Sequence, residues 1–125
     1  MVQAESGQAI PDEGDVLLLD FGPVKGHEQD GLRFGIVLSP KALNRSGICL
    51  IVPMTTRISG AATEIPITSF DNGKTGVAIC TQVTAVDWGA REAQFKGRVD
   101  KAELYRVRYT CRLLLGALPT GYRPA

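Results

Sequence analysis

The stretch GHEQDGLRFGIVLSP, residues 26–40, places a polar loop directly before a short apolar strand. Gly26 and Gly31 bracket the loop, and glycine permits the positive φ angles that a tight turn requires. The run IVL at residues 36–38 is rich in β-branched side chains, lies between a glycine and a proline and is typical of a buried strand. The sequence therefore predicts that the loop side chains and Arg33 lie at the entrance to a strand that the core fixes.

Further apolar runs, separated by turn residues, continue this pattern along the chain. Residues 48–52 (ICLIV) predict a second buried strand, and Pro53 is followed by the hydroxyls of Thr55 and Thr56 at its end. The continuous apolar run from Asp15 to Phe21 predicts a strand buried on both faces. Other strands are expected over residues 63–67, 76–80 and 82–86, with a turn at residues 71–73. Short strands at this spacing are typical of a small, strongly bent β-barrel.

Two helical segments are predicted. Ser39 and Pro40 indicate a single turn over residues 41–44, with Ser39 as the N-cap and Pro40 at the first position. Asp100 and Glu103 form a D-x-x-E start for a longer helix that ends at Gly116. Its apolar side chains recur at spacings of three and four and should dock on the barrel, namely Leu104, Val107, Cys111, Leu114 and Leu115. Its arginines should face solvent, namely Arg106, Arg108 and Arg112.

Composition narrows the functional classes. A chain of 125 residues fits one domain, and a formal net charge of +1 argues against a broad basic surface, so nucleic-acid binding would depend on a local cluster. Cys49, Cys80 and Cys111 lie far apart in apolar segments, which favours reduced, buried thiols over disulfides or metal ligands. The first seven residues lack the pattern of a signal peptide, and no apolar run approaches the roughly 20 residues of a membrane span. We expect a cytoplasmic protein with no membrane partner.

The domain boundaries follow from the same patterns. Residues 1–9 are small and polar and should form a flexible N-terminus. The folded domain should extend over residues 10–117, and residues 118–125 should form a flexible tail. Trp88 is expected to be a core anchor, since a lone tryptophan normally buries its ring and satisfies its indole N–H with one hydrogen bond.

Several motifs occur in an order that resembles the MazF/PemK family of bacterial toxins. They are PDEGD at 11–15, the stretch 26–40, PMTT at 53–56, GVA at 76–78, QV at 82–83 and DW at 87–88. The resemblance extends from Pro11 to Gly116, and several motifs in one order are far more specific than any single one. It implies a mainly β (α+β) fold, an SH3-like β-barrel with a C-terminal α-helix.

The resemblance also implies an activity. Members of this family are metal-independent, sequence-specific endoribonucleases of type II toxin–antitoxin systems, which cut single-stranded RNA, including mRNA, by attack of the ribose 2′-hydroxyl. No cofactor is implied. The implied partners are the RNA, a second copy of the chain in a homodimer, and an antitoxin whose acidic, partly disordered segment occupies the loop after Phe21.

The family's catalytic arginine and threonine correspond to Arg33 and Thr55, and Glu28 matches an acidic loop residue often implicated beside them. A guanidinium can contact two phosphate oxygens and stays charged, while a threonine hydroxyl can donate a hydrogen bond. Further RNA contacts are expected from loop and strand residues, namely His27, Gln29, Gln82 and Arg91. Each has an ordinary structural alternative: a solvated charge, a strand-edge amide or an exposed imidazole.

Three departures from the family pattern leave other functions open. Phe34 stands where many relatives have proline, Thr81 where aspartate is common, and Leu18 where an aromatic residue is frequent. The same barrel also occurs in non-enzymatic toxins that bind DNA gyrase, and an inactive relative that only binds its antitoxin is a further alternative. The trio of Arg33, Thr55 and Glu28 favours catalysis, because a gyrase binder has no use for it. Lys96, Arg98 and Lys101 predict a cationic patch that attracts an acidic antitoxin or simply solvates the surface.

Overall fold

The computed structural model describes residues 9–22, 31–70 and 75–116. Along these ranges the elements are β1 (Asp15–Asp20), β2 (Leu32–Val37), α1 (Lys41–Asn44), β3 (Ile48–Thr55), β4 (Glu64–Ile67), β5 (Gly76–Ile79), a 3₁₀ turn (Cys80–Gln82), β6 (Thr84–Asp87), β7 (Gln94–Arg98) and α2 (Lys101–Leu114). The predicted turn at 71–73 and most of the predicted flexible ends lie outside the described residues. No helix in the described ranges is long and apolar enough to cross a membrane.

All strand pairs are antiparallel, and β3 is at the centre. The strand order is β4-β5-β3-β2-β1-β7, with β6 also paired to β3. The first half of β3 pairs with β6, its last two residues pair with β5, and β2 pairs with its middle. This curled sheet with a C-terminal helix confirms the predicted fold class.

Alternation along the strands divides the apolar side chains between two clusters, as the period of two residues requires. The cluster under α2 consists of Val16, Ile36, Leu38, Val52, Met54, Ile67, Phe70, Ala78, Cys80, Val99, Val107 and Cys111. The cluster on the other face consists of Leu17, Leu19, Val37, Cys49, Ile51, Val86 and Trp88. Strand β1 contributes to both, so its predicted burial on two faces is confirmed.

Trp88 and the cysteines occupy the predicted interior positions. Trp88 is buried, and its Nε1–H donates to the Asn44 carbonyl oxygen at 3.0 Å. Cys49, Cys80 and Cys111 are buried free thiols. Burial raises the pKa of Cys49 to about 12, so this thiol stays protonated at neutral pH.

The predicted N-cap of α1 is wrong by one residue. The N-cap position is Pro40, and no side chain caps the helix there. The Ser39 hydroxyl instead donates to Asn44 Oδ1 at 2.6 Å and accepts from the Leu50 N–H at 2.9 Å. Ser39 and Asn44 are both buried, and buried polar groups need hydrogen-bond partners in the interior. The Ser39 hydroxyl therefore bonds to these interior partners and does not cap the helix.

Two strand predictions also need correction. The strand expected over residues 82–86 begins only at Thr84, because the 3₁₀ turn takes Gln82. Strand β7 was not predicted at all, since its one large apolar side chain, Phe95, is 61% exposed and gives no alternating pattern. Gly97 in β7 has φ +148°, and a Cβ there would collide with the Phe70 carbonyl oxygen.

Helix α2 starts as predicted, but fewer of its apolar side chains are buried than the sequence pattern predicts. Asp100 is the N-cap, and its carboxylate accepts from the Glu103 N–H at 2.8 Å. The predicted burial of Leu114 and Leu115 is wrong, since they are 47% and 76% exposed. Arg108 was expected in solvent, yet it contacts the Glu13 carboxylate and donates to the Leu38 carbonyl oxygen at 2.8 Å.

Glu103 ties the start of α2 to the segment that precedes Phe70. Its carboxylate accepts from the Thr68 N–H at 2.9 Å, the Thr68 hydroxyl at 3.0 Å, the Ser69 N–H at 3.3 Å and the Ser69 hydroxyl. The Asp100 N–H in turn donates to Ser69 Oγ at 3.0 Å. Burial alone would raise the pKa of Glu103, but the hydrogen bonds from Ser69 and Thr68 outweigh it and lower the pKa. We call this arrangement the Glu103 clamp.

Replacing Glu103 with glutamine should destabilise the fold by about 1–3 kcal/mol, because the amide NH₂ would face a donor that needs an acceptor. The folded-state pKa of Glu103 lies below the ordinary value of 4.5, so its stabilisation is complete above the unfolded pKa and is lost as the pH falls through the folded pKa. Urea unfolding should show that the loss in the free energy of unfolding caused by Glu103→Gln is largest at neutral pH. This loss should shrink as the pH falls below 4.5 and through the folded-state pKa. Glu92→Gln, at an exposed site, is the control and should lose little. A deficit independent of pH would contradict the role of the ionised carboxylate.

Candidate active site

A cavity opens where β2 and β3 separate. Their pairing ends at Gly35↔Pro53; beyond it the start of β2 pairs only with β1, and the end of β3 pairs with β5. The cavity has a volume of about 510 Å³ and is lined by Leu18, Leu32, Arg33, Phe34, Met54, Thr55, Thr56, Phe70, Thr75 and Gly76. This volume lies within the range of roughly 300–1,000 Å³ that is typical of ligand sites.

The structure brings the predicted catalytic pair together in this cavity. Arg33 and Thr55 each lie two residues beyond the last β2–β3 pair, Gly35↔Pro53. Residues two apart on a strand point to the same side, so the two side chains share one side of the sheet across the opening. Both line the cavity wall.

One nitrogen of the Arg33 guanidinium has no hydrogen-bond partner among the described residues. This nitrogen is the Nε, which is buried. A buried donor without an acceptor costs about 1–3 kcal/mol, so such groups are rare in folded proteins. An anionic ligand in the cavity would supply the acceptor, and a phosphate oxygen fits this guanidinium well.

Thr55 offers a hydroxyl whose orientation the backbone helps to set. Its Oγ1 accepts a hydrogen bond from the Arg57 N–H at 3.1 Å. A hydroxyl that accepts through a lone pair still has its proton, so Thr55 can donate toward a ligand. The opposite strand approaches closely here, because a Cβ at Gly76 would lie 2.8 Å from the Thr55 carbonyl oxygen.

Three of the remaining candidate residues belong to the loop between Gly22 and Gly31. His27, Glu28 and Gln29 lie outside the described residues. The ends of their loop meet, since the Gly31 N–H donates to the Gly22 carbonyl oxygen at 3.0 Å. The chain therefore leaves and rejoins the fold beside Leu32, at the cavity edge.

Gln82 and Arg91 lie elsewhere on the barrel. Gln82 is part of the 3₁₀ turn, and neither residue lines the cavity. Arg91 is exposed, and its Nη1 donates to the Asp20 carbonyl oxygen at 2.8 Å, at the end of β1. Their contact with RNA stays a prediction.

One member of the predicted cationic patch, Arg98, is paired with a carboxylate. Arg98 contacts the Asp15 carboxylate and donates to the Glu13 carbonyl oxygen at 3.1 Å, so much of its charge is compensated. Burial raises the pKa of Asp15, although the Asp12 N–H and the charge of Arg98 oppose the rise. Lys96 and Lys101 are exposed.

Comparison with known proteins decides the family. A sequence profile described as "PemK-like, MazF-like toxin of type II toxin-antitoxin system" matches residues 12–115. The chain belongs to this family. Across 108 residues it is 40% identical to "Endoribonuclease toxin MazF" of Escherichia coli (strain K12), which covers 86% of this chain and 96% of that protein.

Solved structures of MazF proteins share the fold. MazF (Form-I) from Deinococcus radiodurans superposes with a TM-score of 0.81 at 34% identity, covering 87% of this chain and 99% of that one. A MazE-MazF structure (Form-II) from the same organism gives a TM-score of 0.77 at 33% identity, covering 89% and 100%. The predicted family is confirmed.

Two departures from the MazF/PemK pattern meet at one place. Leu18 and Phe34 are cross-strand partners in β1 and β2, and both line the cavity. The Phe34 ring lies 5.2 Å from the Phe70 ring at an interplanar angle of 57°. Sequence reasoning missed Phe70 because it belongs to no motif and reaches the site only through the tertiary fold. Thr81, the third departure, is exposed on the 3₁₀ turn.

Replacing Gly76 with alanine should displace the backbone at Thr55, because the added methyl would press on a carbonyl oxygen rather than on a flexible side chain. We expect a loss of roughly 1–3 kcal/mol in the free energy of unfolding and altered amide NMR shifts at Thr55, Thr56 and Arg57. Ala85→Ser, at an exposed position of β6, is the control. Unchanged shifts at Thr55 and Arg57 would mean that Gly76 does not set the position of the threonine.

Proposed function

We propose that this chain is the toxin of a type II toxin–antitoxin pair and a sequence-specific endoribonuclease that cuts single-stranded RNA without a metal ion. The observation that carries the proposal is the meeting of Arg33 and Thr55 in one cavity, with a buried guanidinium nitrogen that needs an acceptor. Membership of a toxin family whose relatives are named endoribonucleases supports the same conclusion. Cleavage of mRNA would stop translation and growth.

The proposed reaction needs no nucleophile from the protein. The ribose 2′-hydroxyl loses its proton and its oxygen attacks the adjacent phosphorus. The bond to the 5′-oxygen breaks, and that oxygen takes up a proton from water. The products are a 2′,3′-cyclic phosphate and a 5′-hydroxyl. Arg33 binds two phosphate oxygens and stabilises the charge that accumulates on the phosphorane. Thr55 donates to an oxygen of the same phosphate and fixes its orientation.

Proton transfer is assigned to the loop between Gly22 and Gly31. Glu28 accepts the proton of the 2′-hydroxyl, as its match to the family's acidic loop residue supports. Histidine side chains can exchange a proton near neutral pH, so His27 is the second choice for this role. Gln29 and His27 contact RNA beside the cleaved bond, and Gln82 and Arg91 contact it further along the barrel.

The proposed assembly is a homodimer that its antitoxin inhibits. Structures of MazE-MazF from Deinococcus radiodurans have the same fold, which supports an antitoxin partner whose acidic, partly disordered segment covers the loop after Phe21. Tyr105, Tyr109 and Leu113 leave exposed apolar surface on α2, which supports self-association. An RNA substrate and three unbridged thiols support a cytoplasmic location. No observation here favours the gyrase-binding alternative.

Single substitutions should separate the two catalytic roles. Arg33→Ala removes preorganised charge stabilisation and should slow cleavage by roughly 10²- to 10³-fold or more. Arg33→Lys should rescue only in part, because an ammonium lacks the bidentate fork. Thr55→Ser keeps the donor and should keep most of the activity, whereas Thr55→Val keeps the shape and should not. Single-turnover rates on one RNA in EDTA, with the ends mapped, measure all four.

Arg45→Ala is the matched control, because Arg45 is an exposed arginine just after α1 and is not part of the cavity lining. It should cut at the wild-type rate, and circular dichroism should show every variant folded. If Arg33→Ala and Thr55→Val both cut at the wild-type rate, the assignment of catalysis to this pair is wrong. Loss of wild-type cleavage in EDTA would contradict the metal-independent mechanism.

A further inference from the structure

The end of β1 supports the backbone of Arg33. Leu19 is the cross-strand partner of Arg33, and Asp20 is the partner of Leu32. The pairing of β2 with β3 does not reach this part of β2, so among the described residues β1 is the strand that holds it. The position of the Arg33 guanidinium therefore depends on how firmly the last two residues of β1 are held.

On its other side, β1 extends beyond the strand with which it pairs. The β1–β7 pairs end at Leu18↔Gln94, two residues before Asp20. Opposed residues in an antiparallel ladder alternate between hydrogen-bonded and non-hydrogen-bonded pairs. Because the Phe21 N–H donates to the Gly31 carbonyl oxygen at 2.9 Å, this alternation directs the Asp20 carbonyl away from β2, to the side where β7 has ended. A donor for this carbonyl oxygen therefore has to come from outside β7.

The side chain of Arg91 supplies that donor. Its Nη1 donates to the Asp20 carbonyl oxygen at 2.8 Å, although the two residues are 71 positions apart in the chain. A Cβ on Gly22 would lie 3.7 Å from the same nitrogen, so the guanidinium lies against the backbone at the end of β1. Hydrogen bonds from a charged donor are stronger than those between neutral groups. Arg91 thus continues the support of β1 past the point where β7 stops.

The turn that carries Arg91 is itself fixed. The Arg91 N–H donates to the Asp87 carbonyl oxygen at 3.1 Å, and Trp88 is buried in the same apolar cluster as Leu19. The next residue, Glu92, has φ +52°, a left-handed conformation that a residue other than glycine keeps only where its surroundings determine it. The guanidinium therefore reaches Asp20 from a rigid support.

We propose that Arg91 is a positioning residue for Arg33: by holding the Asp20 carbonyl oxygen, it fixes the end of β1 and with it the start of β2. The inference rests on the proposed function, because it concerns the role of Arg33 in cleavage. It differs from the RNA contact assigned to Arg91 above, because the positioning role is in place before RNA binds. A guanidinium stabilises a transition state best when it is already in position.

The first test needs no RNA. Arg91→Gln replaces the guanidinium with a shorter, uncharged amide. The ladder alternation bonds the Leu19 and Arg33 amides to each other, so their hydrogen exchange in the free protein, followed by NMR, reports on the end of β1. It should become roughly 2- to 10-fold faster, the effect of losing one hydrogen bond. The next bonded pair, Leu17 and Gly35, should change less. Unchanged exchange at Leu19 and Arg33 would overturn the proposal.

The second test is single-turnover cleavage at saturating RNA. Arg91→Gln should lower this rate by roughly 10- to 100-fold, because small displacements of a reacting geometry are costly. Arg91→Lys keeps a charge and one donor and should retain more of the rate. Arg45→Gln, at an exposed arginine after α1, is the matched control and should cut at the wild-type rate. If Arg91→Gln only bound RNA more weakly and cut at the wild-type rate once saturated, Arg91 would be an RNA contact alone and the proposal would be wrong.

Coupling to Arg33 separates positioning from a general loss of structure. If Arg91 acts through Arg33, Arg91→Gln should cost less than about 3-fold in the Arg33→Ala background, because the group that it positions is already gone. An equal cost in both backgrounds would contradict this route. The exchange measurement decides the case in which Arg33→Ala cuts too slowly to measure.

The two levels of the proposal fail in different ways. A wild-type chain that cuts no RNA would overturn the proposed function and this inference with it. A wild-type chain that cuts RNA, together with an Arg91→Gln variant that cuts equally fast at saturation, would overturn the inference alone.

Discussion

The shared pairing of β3 is the constraint on which the rest of the structure depends. Thr55 lies four positions beyond Ile51 in β3, whereas their partners, Val77 and Thr84, lie seven positions apart. The difference of three is the length of the 3₁₀ turn, residues 80–82, which lets β5 and β6 pair with successive segments of one strand. While β3 turns toward β5, the start of β2 stays with β1, and the cavity is the gap between them. The site thus follows from backbone hydrogen bonding before any catalytic side chain is considered.

How much the sequence could predict depends on how local each signal is. The strands β1 to β3 and the start of α2 carry their signals within a few residues, as apolar runs or as the Asp100 cap, and they were found. Ser39 shows the opposite case. A serine before a proline often caps a helix, but here its hydroxyl bonds to the Asn44 side chain and the Leu50 N–H in the interior. Leu114 and Leu115 continue the helical period beyond the surface that the barrel covers, and periodicity cannot show where a partner surface ends.

The site was predictable in part for the same reason. Arg33 and Thr55 were found through motifs, and their position two residues beyond the last β2–β3 pair explains why such motifs sit at the ends of strands. Phe70 and Gly76 carry no chemistry and no motif. Their contributions, a ring against Phe34 and a missing Cβ beside Thr55, exist only when distant segments pack together. Arg98 was counted as a free cation because its partner Asp15 is 83 residues away in the chain.

Arg33 illustrates why a functional site is unlike the core that supports it. Elsewhere in the described ranges buried polar groups have partners: Ser39 bonds to Asn44, and Glu103 accepts from Thr68 and Ser69. Among the described residues the Nε of Arg33 lacks such a partner, and a buried donor without an acceptor typically costs about 1–3 kcal/mol. A partner within the protein would remove that cost, but it would compete with a phosphate for the same nitrogen. The surrounding core, with β3 at its centre, supplies the stability that offsets this unpaired donor. A bound ligand can therefore accept a hydrogen bond from the Arg33 Nε without first breaking a hydrogen bond within the protein.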